Sequence, residues 1–450
     1  MKRGQFMQLF FKRKHISAFQ IISIGFFFVI LAGTLLLMLP ISTKETGGAS
    51  FIDALFTATS AVCVTGLVVH DTATYWTEFG QFIILLLIQI GGMGVVTVAL
   101  AISMISGRKI GLMQRNTMKE AISAPHMNGI TEMTGFILKM VFGIELIGAL
   151  LLSTVFCPEF GLKKGLWYSL FHSVSAFCNA GFDLIGIKTP FSSLTSYSAQ
   201  PMINFTIMAL IVIGGIGSFT WEDIKLHKHH LKKYPMQSKT ILTTTAVLLL
   251  LPALYFYFFE FSNLPLKERI WSSLFQSVTP RTAGFNTADL TKLSEVGLMI
   301  TITLMLIGGS PGSTAGGMKT TTIAVLFSTA FSVFLRKEHT YLFKRRISEE
   351  IIKDAATILL MYITLFFGGG LIISSLEQIP VVTALFETAS AIGTVGLSLG
   401  ITPNLCLISR LILIILMFFG RVGGLTLIFA AFSGKNSNVI KYPQEKITVG

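Results

Sequence analysis

The chain has 450 residues, of which 52% are hydrophobic and only 13% are charged. A soluble domain of this length needs more charge to cover its surface, so the composition excludes an ordinary soluble protein and indicates an integral membrane protein. The formal net charge of +13 would suit a nucleic-acid-binding protein. The basic residues lie in clusters between apolar runs, however, where membrane topology explains them, and no nucleic-acid partner is expected.

Eight apolar runs are long enough to cross a hydrocarbon core of about 30 Å. The first is too long for a signal-peptide core and lacks a small-residue cleavage site, so we expect a retained span. The sixth is too long for one simple span, and Gly, Pro and Ser interrupt its middle. The runs are 16–39, 79–105, 136–157, 201–221, 240–261, 293–334, 355–374 and 405–432.

Four similar segments lie between the first and second run of each successive pair. Each carries Leu-Phe, then a stretch rich in Ser, Thr and Ala, then a glycine. The segments are 51–67, 165–182, 269–285 and 381–397, and they end at Gly66, Gly181, Gly284 and Gly396. Each is too short to cross a membrane and too apolar for water. We therefore expect a re-entrant half-helix whose irregular part lines a water-filled cavity.

A second glycine signature follows each of these glycines at 25, 33, 24 and 24 residues, beginning at Gly91, Gly214, Gly308 and Gly420. Glycines in membrane helices usually mark only close packing. Their recurrence at matched distances from a second motif indicates a fourfold repeat.

A unit of span, re-entrant segment and span begins and ends on the same side of the membrane, so the four units are parallel. The inverted repeats of many secondary transporters need an odd number of crossings per unit. The predicted fold is therefore all-α and integral to the membrane. Its eight transmembrane helices form four parallel span–re-entrant pore loop–span repeats around a central pore, as in a potassium channel.

The distribution of Lys and Arg predicts the orientation. By our assignment 23 of them lie in the terminal segments and in the loops between units, against nine in the opposite loops. The positive-inside rule then places both termini in the cytoplasm of a cell-membrane protein. The predicted parts are the arm 1–15, repeat 1 (16–105), loop 106–135, repeat 2 (136–221), loop 222–239, repeat 3 (240–334), loop 335–353, repeat 4 (354–432) and tail 433–450.

The glycine that ends each segment predicts a selectivity filter. Glycine adopts the backbone conformations that direct carbonyl oxygens toward an ion, and a ring of carbonyls can replace the hydration shell of K⁺. Near their ends the half-helices carry no Lys or Arg except Arg281, so their dipoles favour cations. The expected filter consists of Gly66, Gly181, Gly284 and Gly396 with the backbone of Val64, Thr65, Asn179, Ala180, Thr282, Ala283, Thr394 and Val395.

The fourth copy, Thr394-Val395-Gly396, is the closest of the four to the TVG sequence of potassium channels. The third copy is one residue shorter between Phe275 and Gly284. We expect K⁺ as the transported ion and Na⁺ as a candidate activator, with no organic cofactor.

The four loops, the stretch GGSPGSTAGGMKTTT, the ending FGRVGGLT and the tail YPQEKITVG resemble the Trk/Ktr/HKT superfamily of potassium transporters. The resemblance covers nearly the whole chain and is closest to the membrane subunits of bacterial Ktr systems. It implies K⁺ uptake, a homodimer in the lipid bilayer, a cytoplasmic ring of nucleotide-binding RCK subunits, and filter roles for the four glycines. Gly66 is similar to the potassium-selective members, since a serine there would suggest sodium.

The stretch 308–322 interrupts a span with five glycines and a proline. It lacks the Gly-Lys-Ser/Thr of a phosphate-binding loop. The alternatives are a simple helix kink and, as in the resembled family, a flexible loop that obstructs the pathway under the filter. Lys319 would either plug the cavity or extend to the cytoplasm. The predicted gate residues are Gly308, Gly309, Gly312, Gly316, Gly317, Lys319 and Arg421.

Arg421 replaces the second glycine of the fourth signature. A charge in a span costs about 2.5–3.5 kcal/mol even on lenient insertion scales, so a function is expected. Facing the axis, Arg421 would repel cations and narrow the path. Alternatively, it would hydrogen-bond freed carbonyls of the 308–317 loop, and both roles can hold together.

The other polar residues carry less specific predictions. Glu145 is predicted as a packing partner, with Lys139 as its candidate counter-charge. Asp183 is expected to attract cations at the outer mouth, and Asp53 and Glu387 are candidates for supporting the filter. We interpret His227–His230 as solvated surface rather than as a metal site.

The preferred function is channel-like K⁺ transport down the electrochemical gradient. The alternative is a secondary active symporter that couples K⁺ to Na⁺ or H⁺, although the spans offer few carboxylates for coupling. No catalytic constellation supports an enzyme.

Overall fold

The computed structural model describes residues 17–106, 111–121 and 129–432. The predicted N-terminal arm, the tail 433–450 and parts of the loop 106–135 lie outside the described residues. The described residues are mostly helical, with one small antiparallel hairpin in which Tyr341 pairs with Arg346.

The helices fall into four successive groups of similar order, here called units one to four. Unit one contains α1 (Ala18–Leu37), α2 (Phe51–Val62), α3 (Thr72–Tyr75), α4 (Glu78–Met93) and α5 (Val95–Ile105), and is followed by α6 (Leu112–Ala121). Unit two contains α7 (Ile130–Phe160), α8 (Leu162–Phe177), α9 (Pro201–Ile216) and α10 (Ser218–His227). Unit three contains α11 (Met236–Tyr255, continued by a π-helical turn Phe256–Glu260), α12 (Leu266–Val278), α13 (Glu295–Leu306) and α14 (Thr320–Phe334). The hairpin β1 (Tyr341–Leu342) and β2 (Arg345–Arg346) precedes unit four, which contains α15 (Glu349–Glu377), α16 (Val381–Gly393), α17 (Leu407–Val422) and α18 (Gly424–Phe432).

The first helix of each unit is the longest. Among the described residues α1, α7, α15 and α11 with its π-helical turn are long and apolar enough to cross a membrane. Two further crossings result if the bent pairs α4–α5 and α9–α10 each count as one span. Helix length and composition thus support four to six of the eight predicted crossings.

A short helix occupies each of the four segments that share the Leu-Phe pattern. The phenylalanine of each pair faces inward: Phe56, Phe171, Phe275 and Phe386 are all completely or almost completely buried. The chain start of α2 is fixed by Ser50, whose Oγ accepts a hydrogen bond from Asp53 N at 3.2 Å. The four buried phenylalanines pack α2, α8, α12 and α16 into the hydrophobic core, where close packing stabilises these helices.

The last helix of each unit is broken, so the predicted runs 79–105 and 201–221 each contain two helices. The chain bends by 94° at Gly94 and by 96° at Gly217. Both glycines have positive φ, +84° and +89°, and Gly423 between α17 and α18 has +89°. Side chains rarely tolerate this conformation, so glycine permits the bend. The sequence pattern did not locate these bends, because hydropathy continues through the glycines without registering their backbone angles.

In unit three the break is wider. Residues 307–319 separate α13 from α14, and Gly312 has φ of +69°. Interruption of a membrane-depth helix is tolerated only where other parts of the protein satisfy the freed backbone groups. Those partners come from units two and four, and they shape the site described below.

Candidate functional site

The four segment-ending glycines meet in one ring, here called the glycine ring. All have positive φ: +90°, +69°, +78° and +93° for Gly66, Gly181, Gly284 and Gly396. A Cβ on Gly66 would lie 2.5 Å from the carbonyl oxygen of Ala180. Equivalent approaches run from Gly181 to the carbonyl of Ala283, from Gly284 to that of Val395 and from Gly396 back to that of Thr65. Each glycine therefore faces the residue preceding the next glycine, and the ring closes within one chain.

The backbone before each glycine repeats a strained pattern. The residue two positions earlier also has positive φ: Val64 +54°, Asn179 +59°, Thr282 +68° and Thr394 +51°. Such angles are outliers for β-branched side chains. They persist only where the surroundings enforce them, and they cluster at functional sites. The same pattern in four loops indicates that the carbonyl directions, rather than the side chains, are what the loops have in common.

A buried hydroxyl at the end of each short helix bonds to the backbone at or next to the ring glycine and stabilises the loop. Ser60 Oγ accepts a hydrogen bond from Gly66 N at 3.0 Å, and Ser390 Oγ accepts one from Gly396 N at 3.0 Å. In the other two loops the hydroxyl donates across the turn, from Ser175 Oγ to Phe182 O at 2.7 Å and from Thr279 Oγ1 to Phe285 O at 2.5 Å.

These hydroxyls were not predicted from the sequence. The signal was present, because a serine precedes the glycine by six residues in three copies and a threonine by five in the third. The missing residue of the third copy is therefore absorbed at the end of α12. There Ala283 N bonds to Thr279 O at 3.0 Å, as Val395 N bonds to Ser390 O at 2.8 Å in the fourth copy.

The second and third loops are also linked directly. The Asn179 amide lies 3.2 Å from Thr282 Oγ1, and both residues are completely buried. This polar contact joins two of the strained positions across neighbouring units.

The stretch 308–322, here called the intramembrane loop, packs directly against the glycine ring. A Cβ on Gly316 would collide with the side chain of Thr394 in the fourth loop. The loop bonds to unit two through Ser310 N to Gly215 O at 2.9 Å, Ser218 N to Gly312 O at 3.0 Å and Thr314 Oγ1 to Phe177 O at 3.0 Å. It bonds to unit four through Gly317 N to Gly420 O at 3.2 Å. The simple-kink alternative is therefore not what the structure shows.

Arg421 connects three units at one point. Its guanidinium donates to Thr314 O of the intramembrane loop and to Gly91 O of unit one, and it lies 3.2 Å from Gly92 O. These buried carbonyls lie next to the helix breaks, and a guanidinium offers enough donors to bond to them together. The predicted hydrogen bonding to freed carbonyls of the loop is what the geometry shows.

Lys319 remains within its own loop. Its Nζ donates to Ala315 O at 2.8 Å and lies 3.4 Å from Gly316 O. Of the two predicted alternatives, extension to the cytoplasm is not the observed conformation.

A cavity of about 320 Å³ lies between the intramembrane loop and the helix breaks. All four units contribute to its wall, which includes Lys319, Arg421, Gly94, Ser218 and Gly423. Glu120 of α6, which the sequence did not mark as functional, is the acidic residue among the described lining. A cavity with two basic side chains beside a carbonyl ring is suited to controlling the passage of a cation.

The predicted Glu145–Lys139 pairing is wrong. The buried Glu145 carboxylate accepts from Gln89 Nε2 at 3.0 and 3.2 Å, and Lys139 is exposed. Residues six apart on a helix project from different faces, whereas side-chain pairs form at three or four.

The other acidic candidates lie around the ring rather than in the cavity wall. Asp53 accepts from Arg410 Nη1 at 2.8 Å and lies 3.3 Å from His70 Nε2, joining units one and four. Asp183 accepts from Ile185 N at 3.0 Å, two residues after its glycine.

Glu387 is completely buried in α16 and fixes the chain that follows the fourth glycine. It accepts from Ser398 Oγ at 2.5 Å, Thr402 Oγ1 at 2.9 Å and Leu399 N at 3.1 Å.

Comparisons with known proteins identify the family of this chain. The family model TrkH, described as a cation transport protein, matches residues 8–439. The chain is 42% identical to potassium/sodium uptake protein NtpJ of Enterococcus hirae, over 97% of this chain and 98% of that protein. It is 41% identical to Ktr system potassium uptake protein B of Bacillus subtilis (strain 168), over 96% of each chain. The crystal structure of the potassium transporter TrkH from Vibrio parahaemolyticus is similar in fold, with a TM-score of 0.73 at 20% identity, over 93% of this chain and 86% of that one.

Proposed function

The chain belongs to the TrkH family of cation transport proteins, and we propose that it is the K⁺-translocating subunit of a Ktr-type potassium uptake system. Relatives that match along nearly their whole length are named as potassium uptake proteins, which are transporters and not enzymes. Membrane location and cation uptake follow from the family. The filter, the gate and the mode of transport are our proposal.

The observation that carries the proposal is the closed glycine ring. A dehydrated K⁺ needs several oxygen ligands at once, and a ring of backbone carbonyls supplies them. The ring is built from the four glycines together with the backbone of the eight predicted neighbours from Val64 to Val395. Because the ring closes within one chain, each subunit carries its own pathway.

Transport is proposed to be channel-like, through four parallel units with eight crossings and both termini in the cytoplasm. A membrane potential of 100 mV provides about 2.3 kcal/mol per monovalent cation, which drives uptake without a coupling ion. The buried carboxylates Glu145 and Glu387 have protein donors and do not line the described cavity. They therefore give no specific support to the symporter alternative.

The gate is proposed to consist of the intramembrane loop and Arg421. The loop lies against the fourth filter segment, and Arg421 ties it to unit one. Movement of the loop away from the ring would require these hydrogen bonds to break. The same bonds therefore hold the pathway narrow until a regulatory input opens it.

We propose a homodimer and a cytoplasmic ring of nucleotide-binding RCK subunits as the regulatory assembly, with Na⁺ as a candidate activator. One of the named relatives is a potassium uptake protein of a Ktr system, and a system implies more than one component. The basic loops 222–239 and 335–353, the latter containing the exposed β1–β2 hairpin, are the surfaces we assign to the partner.

Uptake of ⁸⁶Rb⁺ into proteoliposomes with an inside-negative potential tests the proposal. Wild type should accumulate Rb⁺, and K⁺ should compete far better than Na⁺. Gly66→Ser should lose this preference, because its Cβ would press on the Ala180 carbonyl at a φ of +90°.

Gly368→Ser in α15 is the matched control, since no atom lies within 4 Å of a Cβ there. It should behave as wild type. If folded Gly66→Ser protein keeps full selectivity against Na⁺, the filter assignment is wrong.

A further inference from the structure

One position behind the glycine ring differs in charge among the four units. Three residues before the ring glycine, units one, two and four carry Cys63, Cys178 and Gly393, which are small, neutral and buried. Unit three carries Arg281, whose exposure is only 6%. The sequence marked it as the sole basic residue near the end of a re-entrant half-helix.

The positive charge of Arg281 has few hydrogen-bonding or ionic partners. Its Nη2 lies 3.4 Å from Thr245 Oγ1 of α11, and its Nε has no hydrogen-bond partner. No carboxylate in the described chain forms an ion pair with it, in contrast to Arg410 with Asp53. Its surroundings are largely apolar and include Ile211, Val212 and Leu249. Arginine does not lose its proton in proteins, so a full positive charge is held here.

The position of this charge decides which groups it acts on. Arg281 follows the C-terminal end of α12, at Val278, where the helix dipole is negative. Its backbone N donates to Val278 O at 3.1 Å, so the residue stands directly at that negative helix end. In the other three units the residue at the equivalent position carries no charge of its own.

We propose that Arg281 sets the K⁺ affinity of the filter. Its charge offsets the field of the third pore helix, so that a cation in the glycine ring is bound less tightly and leaves more readily. Conduction needs binding that is favourable enough for entry and weak enough for exit. This inference rests on the proposed filter and assigns one unit of the ring a role that the others lack.

Isothermal titration of K⁺ into the purified full-length protein, with Rb⁺ uptake as a function of concentration, tests the inference. Arg281→Met removes the charge and keeps most of the volume. It should lower the K⁺ dissociation constant by about tenfold, the effect expected for two unit charges roughly 12 Å apart at an effective dielectric constant of about 20. Its maximal uptake rate should fall, because exit becomes slower.

Two controls separate charge from anchoring. Arg281→Lys keeps the charge, and Thr245→Val removes the hydrogen bond while leaving Arg281 charged; both should bind K⁺ as wild type does. If Arg281→Met does not elute as folded protein, Arg281→Gln removes the charge and retains a donor. Unchanged or weaker K⁺ binding in the charge-removing variant, or the same shift in Thr245→Val, overturns the inference. Absence of K⁺ binding in wild type would instead refute the filter itself.

Discussion

Arg421 is the residue at which the separate units depend most on one another. Its guanidinium reaches Thr314 and Gly91, residues that lie 107 and 330 positions away in the chain. A hydrogen bond from a charged donor contributes about 1.5–3 kcal/mol. The sequence pattern identified Arg421 because it stands where the other three signatures have a glycine. Its hydrogen-bond partners could not be predicted, because they depend on where the helices of other units break in three dimensions.

Arg421→Ala should raise leak uptake of K⁺ in the absence of the regulatory partner. Loss of the bonds to Thr314 and Gly91 releases the intramembrane loop and removes a positive charge from the cavity. The leak should rise about tenfold. This increase corresponds to about 1.4 kcal/mol in the free energy of opening, which is less than the contribution of one hydrogen bond from a charged donor. Rb⁺ influx into proteoliposomes measures it.

Arg410→Ala is the control for loss of an arginine outside the cavity, since Arg410 pairs with Asp53 at 2.8 Å. It should not raise the leak. Unchanged flux in Arg421→Ala at equal protein levels would remove Arg421 from the gate.

At the scale of elements, the short helices and the broken helices differ in how well sequence predicts them. The Leu-Phe pattern followed by glycine was enough to locate α2, α8, α12 and α16, because aromatic burial and glycine conformations act locally. The bends at Gly94 and Gly217 were missed. Apolar residues continue on both sides, and glycine in a membrane helix is usually explained by packing.

Gly217→Ala should destabilise the protein by about 1–3 kcal/mol, the usual cost of a strained backbone residue. Its φ is +89°, and its Cβ would lie 2.5 Å from Pro311 O in the intramembrane loop. The midpoint of thermal unfolding in detergent, followed by loss of the size-exclusion peak, should fall.

Gly143→Ala in α7 provides the comparison, because its Cβ would meet no atom within 4 Å. It should leave the midpoint unchanged or raise it slightly, since alanine loses less conformational entropy in a helix than glycine. An unchanged midpoint in Gly217→Ala would show that the bend does not require glycine.

At the scale of the whole molecule, the backbone conformation of the ring repeats four times, but the four units differ in the side chains and loops around it. The glycine ring repeats the same φ pattern four times, whereas the intramembrane loop and Arg281 belong to unit three and Arg421 to unit four. Sequence spacing predicted which segments would be equivalent. The order in which they close, with Gly396 against the Thr65 carbonyl, depends on packing between segments more than 300 residues apart and needed the structure.

The position of a bound ion tests the central claim most directly. Crystals of the protein grown or soaked with Tl⁺ in place of K⁺ should show an anomalous peak on the axis of the glycine ring in each subunit, coordinated by backbone carbonyls. The peak should weaken in Gly66→Ser and remain in Gly368→Ser. Anomalous peaks at other positions, with none on the axis of the glycine ring, would contradict the filter assignment.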